Sequence, residues 1–107
     1  KDAKKKILIA NDQLAAKEMS VGRYYQQKNK HLAAIERFKA VIDDYNTTAQ
    51  TPEALYRLTE SYLSLGILGE AKKTTAVLSY NFKNSNWYKL SYNLYKKYGY
   101  KKNEEKG

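Results

Sequence analysis

The side chains able to do chemistry in this chain are few and scattered. His31 is the only histidine, and there is no cysteine. These residues therefore hold no thiolate ligand or thiol nucleophile, and no second imidazole to complete a site around His31. At the start of a helical pattern, His31 reads as a solvated or capping side chain. Asp43 and Asp44 are adjacent, but consecutive helical residues point about 100° apart, so they do not share a proton. Near a helix C-terminus their charge is mildly unfavourable, which marks either a solvated helix end or a contact to a basic partner. No G-x-S-x-G, glycine-rich phosphate loop or H-E-x-x-H occurs. Two cations remain. Arg37 has Ala33, Ala34, Ala40 and Val41 as its helical neighbours, so no carboxylate on its own helix faces it. Its rigid fork of donors stands among small side chains. Two readings stay open: a pair with Glu53 or Glu60 of the following helix, or an acidic group on another protein. Lys28 has the same two readings, and a cation there also favours the dipole of the helix it ends. This inventory points to binding without catalysis, and no cofactor or metal is expected.

The elements that position these residues follow from composition and spacing. The chain has 107 residues, enough for one small domain. One proline and five glycines are few interruptions, which favours long helices. Eleven tyrosines against two phenylalanines suit half-buried helical faces and interfaces. The net charge is +9, with the excess toward the two ends. Such ends read as solvated segments, whereas a nucleic-acid binder concentrates its cations on one folded face. No apolar run approaches the roughly 18 residues needed to span a bilayer.

Spacing then identifies the fold. Gly22-x2-Tyr25 and Ala34-x3-Phe38 carry the arithmetic of a tetratricopeptide repeat. A helical glycine costs about 1 kcal/mol relative to alanine, so Gly22 predicts a close helix approach, with Ala34 opposite and Tyr25 and Phe38 filling the wedge above and below. The pattern returns 37 residues on: Leu58-x3-Tyr62 repeats Val21-x3-Tyr25, and Ala71 and Leu78 repeat Ala34 and Val41. A third half-copy, Leu94-x3-Tyr98, follows 36 residues later. Tandem repetition of this kind makes a solenoid that binds other proteins.

The expected fold is all-α: about five antiparallel helices in tetratricopeptide hairpins forming a short right-handed superhelix over residues 1–98. A long helix spans 3–28, its hairpin partner 31–45, the second hairpin 52–80 and a capping helix 86–98. Residues 99–107 read as a basic disordered tail. In the first helix Ile7, Leu14, Val21 and Tyr25 form one apolar stripe, and Leu8, Ala15, Met19 and Gly22 form another. Two stripes predict packing on two sides, and the helical pattern already present at Ile7-Leu8-Ile9 reads as a segment cut from something longer. Asn29 caps the turn before the second helix. Thr51 is the expected N-cap of the third helix, with Pro52 at its first position. Leu55, Leu58, Tyr62 and Leu65 are its buried face, and Gly66 ends it. Ser85 caps the last helix, where Tyr95 occupies the place of Gly22 and closes the stack.

The stretches LAAKEMSVGRYYQQKN, AAIERFKAVIDDY, TPEALYRLTESYLSLG and EAKKTTAVLSYNF, with SNWY after them, resemble the carboxy-terminal half of the BamD (ComL) family over about residues 3–98. That family consists of lipoproteins of the outer-membrane β-barrel assembly machine. The resemblance implies a non-enzymatic periplasmic scaffold held to the outer membrane by a lipidated N-terminal cysteine, with earlier repeats and that anchor lying outside these residues. It implies docking on the POTRA domains of BamA and on accessory Bam lipoproteins, and recognition of unfolded outer-membrane proteins by the earlier repeats. Arg37 matches a family position implicated in the BamA contact. Lys28 falls where relatives often have arginine, and Asp44 closes the same helix as Arg37. Lys83 stands where relatives usually have proline, and Lys28 lacks the bidentate fork of arginine. A basic repeat that binds nucleic acid or an anionic cell-envelope polymer is the alternative, supported only by the lysine-rich ends and distinguished by a steep salt dependence.

Overall fold

The computed structural model describes residues 2–106, with side chains over 3–7 and 9–98. Five helices follow one another: α1 (Asp2–Gln27), α2 (His31–Asp44), α3 (Thr51–Ser64), α4 (Leu68–Asn81) and α5 (Asn86–Lys106), with no strand among the described residues. Helices α1 and α2 pack as one hairpin and α3 and α4 as the next; α2 lies against α3, and α5 closes over α3 and α4. The result is elongated, 58 × 29 × 18 Å. None of the described helices is long and apolar enough to cross a membrane.

The two hairpins repeat in their backbone torsions and not only in composition. Asn29 has φ 59° and Gly66, 37 positions later, has φ 75°. Each is the left-handed residue of a Schellman turn: the Lys30 N–H reaches Tyr25 O at 2.9 Å and the Ile67 N–H reaches Tyr62 O at 2.8 Å. Asn29 thus ends α1 and does not cap α2, whose N-cap residue is Lys30 with no side-chain cap bond. The far ends match too, with Tyr45 N–H on Val41 O at 3.0 Å and Phe82 N–H on Leu78 O at 2.8 Å.

The core runs through both hairpins and includes Ala15, Met19, Ala34, Phe38, Val41, Leu58, Tyr62 and Ala71, with Tyr25 packed against its edge. Of the second apolar stripe on α1, Ala15, Met19 and Gly22 are buried, and the Leu8 side chain lies outside the described residues. Ile7 and Leu14 of the first are 59% and 47% exposed. Gly22 differs from expectation in its partner. A Cβ there would lie 2.5 Å from Phe38 Cε1 and 2.8 Å from Cδ1. The atoms nearest the bare backbone of Gly22 are therefore those of the Phe38 ring.

At the equivalent level of the second hairpin, Thr59 replaces Gly22 and Thr75 replaces Phe38. Four hydroxyls occupy that space: Thr59 Oγ1 lies 2.7 Å from Thr74 Oγ1, Ser91 Oγ donates to Thr59 Oγ1 at 3.0 Å, and Thr75 Oγ1 lies 2.9 Å from Ser91 Oγ. Thr59 and Ser91 are fully buried. Ser91 is also the only α5 side chain among the described buried residues, so the cap is seated on polar groups that satisfy one another.

Three further details differ. Thr51 opens α3 from inside the helix, its hydroxyl turned back to Asn46 O at 3.0 Å. Leu65 is 41% exposed, because the turn at Gly66 carries it off the buried face. Helix α5 continues to Lys106 where a cap over 86–98 and a disordered 99–107 tail were expected. Residues 99–106 contain no proline and are rich in lysine and glutamate, and the one glycine costs only about 1 kcal/mol in a helix. Gly107 lies outside the described residues. Ser85 behaves as expected, its Oγ accepting the Trp87 N–H at 3.1 Å.

Two stability measurements check this packing. Gly22→Ala gains helix propensity of about 1 kcal/mol but drives a methyl into the enclosed Phe38 ring, so net destabilisation of about 1–2 kcal/mol is expected in thermal unfolding. Phe38→Leu in the same chain should recover part of it, and a stabilised Gly22→Ala would show that the ring has room. Thr59→Val keeps the shape and removes one hydroxyl from the buried cluster. Stability should fall by about 1–3 kcal/mol, with no fall expected only if the hydroxyls are not mutually bonded.

Candidate functional site

The surface carries two clusters of charge, and they behave differently. On the side where α3 packs against α1 and α5, Arg23 Nη1 donates to Glu53 Oε2 at 2.9 Å. Arg57 Nε donates to the same oxygen at 3.1 Å, and its Nη1 donates to Glu60 Oε1 at 2.9 Å. The Arg57 guanidinium lies 5.4 Å from the centre of the Tyr56 ring and 5.7 Å from that of Trp87. Burial alone would lower the Arg57 pKa, but hydrogen bonds to Glu60 and Glu53, reinforced by their charge, hold it above the ordinary guanidinium value. The Tyr56 pKa is raised by burial and then by Glu60, whose carboxylate accepts its phenol at 3.1 Å. This ladder is internally complete and ties the cap to both hairpins.

It also settles where Arg37 pairs. Glu53 and Glu60 are taken by Arg23 and Arg57, so neither expected carboxylate meets Arg37. Its partner is Glu18 on α1, reached by Nη1 at 3.4 Å, with the two side chains 44% and 23% exposed. An exposed pair at this distance contributes about 0–1 kcal/mol, too little to lock the guanidinium. Its helical neighbours Ala33 and Ala40 are small and half-buried.

Asp44 is the last residue of α2 and is exposed. Seven residues separate it from Arg37, two helical turns or about 10 Å along the same face. Lys28 is not on that helix. It follows the end of α1, is exposed, and holds its ammonium 5.8 Å from the centre of the Tyr24 ring. The structure therefore places Arg37 and Asp44 on one face and leaves Lys28 beyond its end. His31 is half-buried and structural: its Nδ1 lies 3.0 Å from Ser61 Oγ, which also accepts the Gln26 amide at 3.0 Å. Among the described residues no group of His, Cys, Asp or Glu is arranged to hold a metal.

The sequence reading missed Glu18 and the Arg57 ladder. Glu53, Arg57 and Glu60 stand at i, i+4 and i+3 spacing, a signal present in the sequence. Glu18 lies 19 positions before Arg37, and only the antiparallel register set by the turn at Asn29 brings the two together.

Comparison with known proteins gives this surface its context. The family model of YfiO, described as outer membrane lipoprotein, matches residues 1–78. The outer membrane protein assembly factor BamD of Rickettsia prowazekii is 55% identical over 97 residues, covering 91% of this chain and 39% of that protein. BamD of Caulobacter vibrioides is 55% identical over 93 residues, covering 87% of this chain and 30% of that protein. BamD of Neisseria meningitidis serogroup A is 36% identical over 84 residues. The chain thus spans two fifths or less of the curated relatives it matches. By the match to its model over most of its length, the chain belongs to the YfiO/BamD family of outer-membrane lipoproteins.

Proposed function

We propose that this chain is a non-catalytic docking module of the machinery that assembles outer-membrane β-barrel proteins, acting on the periplasmic side of the outer membrane. In this reading the outer face of α2 binds the POTRA region of BamA. Accessory Bam lipoproteins dock on the same half of the solenoid, and unfolded outer-membrane proteins are met by repeats that precede it. Attachment to the membrane is through a lipid anchor outside these residues. Family membership and the names of the relatives support the role and the location.

The observation that carries the contact is Arg37: an exposed guanidinium, held only by a 3.4 Å contact to Glu18, on a face of small side chains. Such a group forms a strong bidentate pair when a partner presents a carboxylate. Asp44, on the same face, suits a basic group of the same partner, and Lys28 serves as a peripheral cation. Nucleic acid is not a partner in this reading. On the repeat body Arg23 and Arg57 are held in the ladder with Glu53 and Glu60, so phosphate would have to compete for them.

Titration of recombinant POTRA domains with the wild-type protein and Arg37→Ala tests the contact. Binding should weaken by about 1–3 kcal/mol with helicity unchanged, and Arg37→Lys should recover only part of the loss because it lacks the fork. Equal affinity of wild type and Arg37→Ala would remove Arg37 from the interface. Tight binding to DNA or an anionic polymer, falling steeply with salt, would replace this function with the electrostatic alternative.

A further inference from the structure

We propose that Glu18 is a positioning residue: it holds one corner of the Arg37 guanidinium so that the opposite edge is presented outward to a partner carboxylate. This rests on the reading of Arg37 as the docking contact and adds to it a second residue, from a different helix. The geometry of the pair is the basis. Both oxygens of Glu18 approach the same nitrogen, Nη1, at 3.5 and 3.4 Å. That is an end-on contact through one corner of the fork, not the side-on pair an unrestrained arginine and carboxylate adopt. Among the described residues no other carboxylate lies within 4.0 Å of Arg37. The edge formed by Nε and Nη2, which suits a carboxylate in two parallel hydrogen bonds, therefore has no acidic partner.

Glu18 is suited to this role by its place in the fold. It stands on α1, between Ala15 and Met19, both fully buried, so its backbone is fixed by the core of the first hairpin. Arg37 precedes the fully buried Phe38 on α2. The two backbones are thus fixed relative to one another by the ring seated on Gly22, and the ion pair inherits that register. Without Glu18, a long exposed side chain would have to be ordered on binding, at a cost equivalent to about two- to tenfold in affinity. The repulsion between Glu18 and an incoming carboxylate acts between solvent-facing groups and is screened by salt. Orientation outweighs it.

The test is a double-mutant cycle read by titration of POTRA domains with Glu18→Gln, Glu18→Ala, Arg37→Ala and Glu18→Ala/Arg37→Ala, with melting curves for each. Glutamine retains a carbonyl able to accept from Nη1, so Glu18→Gln should bind within about twofold of wild type. Glu18→Ala should bind about two- to fivefold more weakly, with an unchanged melting curve, and should have no further effect once Arg37 is alanine. Tighter binding by either Glu18 variant would overturn the inference, because Glu18 would then be a competitor. An equal loss in the Arg37→Ala background would also overturn it, since the effect would not pass through Arg37. If Arg37→Ala is itself silent, the docking reading falls and this inference with it. If Arg37→Ala weakens binding and Glu18→Ala does not, only the positioning role falls.

Discussion

The seating of the Phe38 ring on the bare backbone of Gly22 fixes the distance and register of α1 and α2. A ring 2.5 Å from where a Cβ would stand leaves no slack, so the two helices meet at one height only. The Schellman turn at Asn29 sets the same register, in which Ala15, Met19 and Val41 are buried and Glu18 meets Arg37. The second hairpin keeps the backbone of the first, down to the turn torsions, while changing the chemistry at this level. A large apolar ring over nothing becomes two threonines of middling size, and the space between them and α5 is closed by Thr74 and Ser91. Repeat architecture tolerates this because each layer contacts only its neighbours.

Ser91 of α5 completes the hydroxyl layer, and the half-buried Trp87 joins Tyr56 and Arg57 at the edge. The contribution of α5 is thus mainly polar and aromatic. Glu53 and Glu60 pair with Arg23 and Arg57 within the ladder, and Arg37 pairs with Glu18.

Much of this was legible in the sequence. The breakers and the 37-residue offset located all five helices within a residue or two at nearly every end, and Gly66 and Ser85 ended or opened helices as their chemistry requires. What the sequence did not reveal depends on register across the hairpin. Gly22 announced a close approach, but whether a methyl or a ring fills it depends on which residues of α2 stand at that height, and Ala34 and Phe38 are one turn apart. Glu18 and Arg37 meet for the same reason. The threonine cluster was hidden because threonine and serine carry no apolar periodicity, so a buried hydroxyl layer looks like surface until its four members are placed together. At the C-terminal end, composition suggested disorder over 99–107, whereas α5 runs on to Lys106.

In its proposed docking role, Arg37 meets a constraint that sequence motifs do not express. A side chain that recognises a partner must be free to be met and yet already oriented, and these demands conflict for a long residue on an exposed helix. A buried pair would orient Arg37 but withdraw it from the partner, and the desolvation of both charges would offset most of the gain. An unpaired arginine would be available but would lose rotamer freedom on every encounter. A single-nitrogen contact from a neighbouring helix lies between these limits: weak enough to leave one edge of the fork open, and fixed in direction because both backbones are set by the packing beneath. The rigidity of the Gly22–Phe38 seat therefore matters at the surface as well as in the core.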